Sequence, residues 1–274
     1  MRFATLPDGA TLAYDDYYFG PPWLKPETII LVHGFSKNRR FYYGWIAKLA
    51  ERFRVIRVDQ RGHGDSSAVP QGFQMALRPF SDDLAAFTKA IGITRAHYVM
   101  AEFTSVVGID FANAYPELIQ TLTLPGFAFR YVGSPVDRHE WVRLAEEEGA
   151  AAWAKATNRF RLPENADPAM REWYIGEQSR MPGWFLGALF RFNMHLDMTA
   201  HLPGMKVPCL LIAGSAAKQG TLETIREAQG LIPDCDVTVL DGLPYNVMSA
   251  DPERCVAATI AFIDKIAARA GGAA

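Results

Sequence analysis

The chain has 274 residues, 49% of them hydrophobic, and a formal net charge of −2 from 28 Lys plus Arg against 30 Asp plus Glu. That size can bury a sizeable core and suits one α/β domain carrying an inserted subdomain better than two independent domains. Its charges are interspersed without a basic stripe, which argues against nucleic acid or an anionic membrane as partner and leaves a small-molecule substrate as the expected one.

Taken in chain order, Phe3 to Leu6 and Thr11 to Tyr14 alternate about Pro7-Asp8-Gly9, predicting a hairpin at a sheet edge. Thr28 to Val32 reads as a buried strand, Phe41 to Ala50 as a helix and Phe53 to Val58 as a strand. A helix is expected from Ser81 to Ile91, opened by a Ser N-cap with acids in the first turn. The apolar strand ending at Met100 follows, then a helix from Thr104 to Ala114 and a strand at Thr121 to Leu124. Alternation of this kind means a parallel sheet.

Between Gly126 and His201 the buried-strand signal stops. Helices are expected there near 137–148, 150–158, 168–180 and 184–194, rich in Trp, Phe, Met and charge. The sheet pattern resumes at Pro208 to Gly214 and Val237 to Leu240, and an amphipathic helix from Asp251 to about Ala268 precedes an Ala/Gly tail. The expected division is therefore a core of residues 1–125 and 202–274 with a helical cap at 126–201.

Cys209, Cys235 and Cys255 are odd in number and lack metal-ligand spacing, so buried reduced thiols, a cytoplasmic location and no metal are expected. The first residues lack a charged segment followed by an apolar one, and no stretch is long and apolar enough to span a bilayer. Neither secretion nor membrane insertion is expected, and a homodimer is left open.

Three motifs carry chemistry. Val32-His33-Gly34-Phe35-Ser36 follows the first buried strand, Asp59-Gln60-Arg61-Gly62-His63-Gly64-Asp65-Ser66 follows the second, and His97 to Gly108 runs strand, sharp turn, helix with Glu102 at the apex. Together these resemble the α/β-hydrolase superfamily, in the capped branch of lactonases, C–C hydrolases and epoxide hydrolases. In that family the first motif is the oxyanion loop, the second matches Asp-x-Arg-Gly-x-Gly-x-Ser, and the third is the nucleophile elbow. The register agrees with the family's Tyr/His-Pro-Glu, since Pro116 of Tyr115-Pro116-Glu117 lies fourteen residues after Glu102. The resemblance implies an α/β-hydrolase fold, no cofactor, and an oxyanion hole made by the Phe35 and Phe103 amides.

The same resemblance exposes a degenerate triad. Glu102 stands at the nucleophile position, Ala217 where relatives carry the acid, and Tyr245 where they carry the catalytic histidine; no histidine follows His201. An ordinary Ser-His-Asp relay cannot be built. A carboxyl among Met100, Phe103 and Phe35 is expected to have a raised pKa, because desolvation outweighs a helix dipole of about 0.3–1 kcal/mol. Glu102 then acts as general acid or base and Tyr245 as a hydrogen-bond donor to a developing oxyanion on a small apolar carbonyl or lactone-type substrate.

Alternatives stay open at this point. Glu102 could attack as a nucleophile or direct water, or the protein could be a ligand-binding pseudoenzyme. His33 and His195 are carried as candidate substrate-binding residues beside their structural readings, with His139 and His63 weighed likewise. Ser105 and Thr104 are weaker candidates as relocated nucleophiles. Lys218 could meet a substrate carboxylate or solvent. Trp141, Trp153, Trp173, Trp184, Phe185, Phe190 and Phe192 could line an apolar cavity or pack lid on core.

Overall fold

The computed structural model describes residues 1–134, 136–162 and 164–271. Its centre is an eight-stranded sheet: β1 (Arg2–Thr5), β2 (Thr11–Tyr17), β3 (Thr28–Val32), β4 (Arg54–Val58), β5 (Ala96–Met100), β6 (Ile119–Pro125), β7 (Cys209–Gly214) and β8 (Cys235–Leu240). They lie in the order β1-β2-β4-β3-β5-β6-β7-β8, antiparallel in the β1–β2 and β2–β4 pairs and parallel elsewhere. The hairpin expected around Pro7-Asp8-Gly9 is there and supplies the edge strand β1.

Strands β3, β5 and β7 are buried almost throughout, as interior strands of a sheet covered on both faces must be. Successive side chains point to opposite faces, so each strand feeds two cores. Ile30, Val32, Tyr98, Met100 and Leu211 join the cluster packed on one face, while Ile29, Leu31, Val99, Leu210 and Ile212 join the cluster on the other. Helices α2 (Leu77–Ala90) and α3 (Ser105–Ala114) cover the first face; α1 (Ile46–Ala50) and, near the C-terminus, the last helix Pro252–Gly271 cover the second.

Between β6 and β7 the chain forms α4 (Arg138–Arg143), α5 (Ala150–Thr157), α6 (Pro168–Gln178) and α7 (Gly183–Asn193), close to the expected ranges; the π-helical turn Leu144–Glu148 extends α4. Helix α8 (Leu222–Leu231), capped by Thr221 accepting from the Thr224 N–H, was not expected. The short α9 (Val247–Ala250) precedes the long terminal α10 (Pro252–Gly271). No helix of the described residues is long and apolar enough to cross a membrane.

Two expectations are corrected. The helix predicted over Phe41 to Ala50 is split into a 3₁₀ turn, Arg39–Tyr42, and α1, with Gly44 between them pressed on the Pro252 ring, which a Cβ would meet at 2.6 Å. Helix α2 begins at Leu77, so Ser81 is a buried interior residue. Pro79 is tolerated in that first turn because its missing N–H would have had no helical partner there.

Candidate active site

Strand β5 delivers the chain to Glu102, whose φ of 58° makes it the one non-glycine residue with positive φ among the described residues. A left-handed conformation costs an ordinary residue about 1–2 kcal/mol and persists only where the surroundings impose it. Two glycines make the room. A Cβ on Gly34 would lie 3.0 Å from Glu102 Oε2, and one on Gly126, itself at φ +66°, would lie 2.5 Å from the Tyr245 carbonyl and 3.1 Å from Glu102 Cγ. The strained turn thus presents a carboxylate where β3, β5 and β6 end together.

That carboxylate is not alone in an apolar pocket. Lys37, placed by a turn in which its N–H donates to the Gly34 carbonyl (3.0 Å), donates through Nζ to Glu102 Oε1. The two side chains are 0% and 6% exposed. Nζ also lies 3.5 Å from Ser249 Oγ and sits over the Phe41 and Tyr174 rings at 5.2 and 5.1 Å. Burial pushes the Lys37 ammonium below the ordinary lysine range, against the pull of Glu102. Burial likewise drives the Tyr174 and Tyr245 hydroxyls well above theirs, with Glu102 adding to both shifts.

Above the elbow opens a cavity of about 800 Å³ bounded by core loops and cap. Glu102, Phe35, Phe103 and Tyr245 all line it, as do Tyr131, Ser36, Asn246, Arg138, Arg161, Trp141, Trp153 and Phe190. The Tyr131 and Tyr245 hydroxyls are 3.1 Å apart, and the Phe35 and Phe103 rings meet edge to face at 3.9 Å between centroids. Lys218 is exposed on the cavity wall.

None of the six histidines lines this cavity among the described residues. His33 is fully buried, and both of its nitrogens are engaged: Nδ1 donates to the Gly34 carbonyl (2.8 Å) and Nε2 accepts from the Gln60 N–H (3.1 Å). It shapes the loop and does not face the cavity. His195 lies exposed just beyond α7, and His139 and His201 are exposed as well. His63 is buried between the Arg61 and Phe35 carbonyls, and His97 lies on β5 beside Thr121. Ser105 and Thr104 are also away from the cavity, their hydroxyls donating at 2.5 Å to the carbonyls of Glu102 and His33.

The cap aromatics divide. Trp141, Trp153 and Phe190 line the cavity, while Trp173 packs on Phe41 and Tyr43 and Phe185 covers Gly62 and His63. Sequence reasoning missed Lys37, Tyr131, Arg138 and Arg161. The available signal was weak: a lysine directly after His33-Gly34-Phe35-Ser36, and two arginines beside apolar residues in the inserted helices.

Residues 27–171 match the model of the α/β-hydrolase fold family. The chain is 29% identical over 195 residues to a putative carbamate hydrolase RutD of Pantoea ananatis, covering 68% of this chain and 70% of that one. It is 22% identical over 245 residues to a 2-(acetamidomethylene)succinate hydrolase of Mesorhizobium japonicum, covering 86% and 87%. Among solved structures, the enol-lactonase of Burkholderia xenovorans superimposes with a TM-score of 0.86 at 21% identity, covering 96% of this chain and 100% of that one.

Proposed function

Given that this chain belongs to the α/β-hydrolase fold family, we propose that it is a cofactor-independent enzyme in which Glu102 moves a proton on a small carbonyl or lactone-type substrate. The observation that carries this reading is a buried Glu102–Lys37 ion pair at the elbow apex, facing a cavity without a histidine among the described residues. A covalent intermediate formed by Glu102 attack would need a base to activate water, and the tyrosines nearest the site are held protonated by burial. A carboxylate base needs no such partner. Glu102 takes a proton from the carbon next to the carbonyl, the electron pair of that C–H bond passes into the carbonyl, and the oxyanion accepts hydrogen bonds from Tyr245 and the Phe35 and Phe103 amides. Returning the proton at another carbon completes an isomerisation; where the enolate instead expels a group from the β-carbon, that group takes the proton and the reaction is an elimination. Lys37 holds the carboxylate in place while its charge changes.

The test is solvent-deuterium exchange at the α-carbon across a panel of lactones and 1,3-dicarbonyl compounds, followed by NMR. Wild type should exchange one member, and Glu102→Gln should bind that member while slowing exchange by about 10²–10⁴-fold. Undiminished exchange in Glu102→Gln refutes the assignment. The hydrolases named among the relatives favour a second reading, hydrolysis through a mixed anhydride formed when Glu102 attacks the substrate acyl carbon and the amine or alcohol leaves. A single turnover in ¹⁸O water separates the two, since only the covalent route, with water attacking the Glu102 acyl carbon, leaves ¹⁸O in the Glu102 carboxylate.

A further inference from the structure

Among the described residues three arginines are buried: Arg39, Arg138 and Arg161. Arg39 meets the rule for a buried cation, since Asp15, Asp59 and Asp65 surround its guanidinium. Arg138 and Arg161, each 6% exposed, are hydrogen-bonded to an amide and a hydroxyl and form no ion pair with a carboxylate among the described residues, Glu102 acting on Arg161 only from beyond ion-pair distance. Arg138 donates one bond, from Nη2 to Gln219 Oε1 at 3.1 Å, its Nε has no partner, and its guanidinium lies 5.1 Å over the Tyr131 ring. Arg161 donates from Nη1 to Thr157 Oγ1 at 2.5 Å and stacks 4.1 Å from the Trp153 ring centroid.

Both line the cavity that holds Glu102. A guanidinium does not shed its proton as a buried lysine can, so leaving two of them unpaired is costly unless something else supplies the anion. Each keeps most of its five N–H donors unused by the protein. Glu102 and Lys37 cancel one another, so the cavity keeps two buried positive charges, while at its exposed wall Lys218 and Arg159 are balanced by Asp137 and Glu140. The planar fork with free donors matches a carboxylate.

We infer that the substrate is an organic acid, a carboxylate-bearing carbonyl compound whose acidic group is held by Arg138 and Arg161 while its reacting carbon faces Glu102. The geometry of the arginines supplies the anion site, and only the identity of the reacting end rests on the proposed function. The cavity is therefore amphipathic: Trp141, Trp153 and Phe190 bury the carbon skeleton and the guanidinia fix its orientation.

Binding of straight-chain C3 to C6 dicarboxylates and C4 to C6 oxo acids, their methyl esters, and inorganic phosphate is measured by calorimetry and thermal shift. The proteins compared are wild type, Arg138→Met, Arg161→Met and Glu102→Gln. At least one acid should bind wild type and Glu102→Gln, its methyl ester at least about tenfold more weakly, and each arginine variant should lose about tenfold or more in affinity. The unliganded arginine variants should melt at or above the wild-type temperature, because an unpaired buried charge is removed; this confirms that they are folded. Equal binding of acid and ester, unchanged affinity in both variants, phosphate binding as tightly as the best acid, or no acid binding below 10 mM overturns the inference. Acid binding without carbon exchange on any substrate instead refutes the proton-transfer reading and leaves the anion site standing.

Discussion

Lys37→Met removes the ammonium facing Glu102 while keeping an unbranched stem against the Phe41 and Tyr174 rings, so packing is largely conserved. Both partners are almost fully enclosed, and deleting one member of a buried pair typically costs about 3–5 kcal/mol because the other is left uncompensated. Ser249 Oγ, already 3.5 Å from Lys37 Nζ, cannot replace a positive charge. The orphaned carboxyl can escape by taking up a proton, and the cost of doing so for an ordinary glutamate is about 4 kcal/mol at pH 7 and about 1 kcal/mol at pH 5. The expected destabilisation is therefore about 3–4 kcal/mol at pH 7, falling to about 1 kcal/mol at pH 5, read from urea unfolding at the two pH values. Glu102→Gln alone strands the ammonium, whereas the double variant buries no charge at this place and should lie near wild type. The cycle should give a coupling of about 2–4 kcal/mol. A Lys37→Met cost below about 1 kcal/mol at pH 7, or a double variant equal to the sum of the singles, would show that the two groups do not interact as described.

Three further outcomes follow from the site. Glu102→Gly and Glu102→Ala delete the same carboxylate, so their difference isolates the backbone; at a φ of 58° the glycine variant should be the more stable by about 1 kcal/mol in urea unfolding. Gly126→Ala forces a Cβ to within 2.5 Å of the Tyr245 carbonyl at positive φ, and should cost about 1–3 kcal/mol and shift the elbow carboxylate. A melting temperature equal to wild type would contradict that crowding. Burial holds the His33 imidazole well below its ordinary range, so the folded protein keeps it neutral while the unfolded chain takes up a proton near pH 6.5. The unfolded state binds more protons there, so stability falls as pH drops below about 6.5, by about 1.4 kcal/mol per pH unit until the folded value is reached. NMR should show the His33 ring unshifted between pH 8 and pH 5.

The local signals that worked were periodic ones. The apolar runs at Thr28 to Val32 and Pro208 to Gly214, and the helical spacing in the cap, reflect burial patterns repeating every two or 3.6 residues, so a linear reading recovers them. Ser81 misled because an N-cap residue type also occurs buried within a helix, as it does in α2. Glu102 was found because strand, turn and helix are consecutive in the chain.

By itself, then, the sequence determined the alternation of strands and helices, the position of the inserted helices, the strand-turn-helix with a carboxylate at its apex, and the absence of any histidine after His201. Those properties are local or follow from residue identity. Only the tertiary structure decided what surrounds the carboxylate. Lys37 lies 65 positions from Glu102, and Arg138 and Arg161 belong to the cap, so their meeting at one cavity depends on how the cap closes over the strand ends. The environment of a charge is set by everything within several ångströms in space, and a buried ion pair or an unpaired guanidinium leaves no periodic trace along the chain.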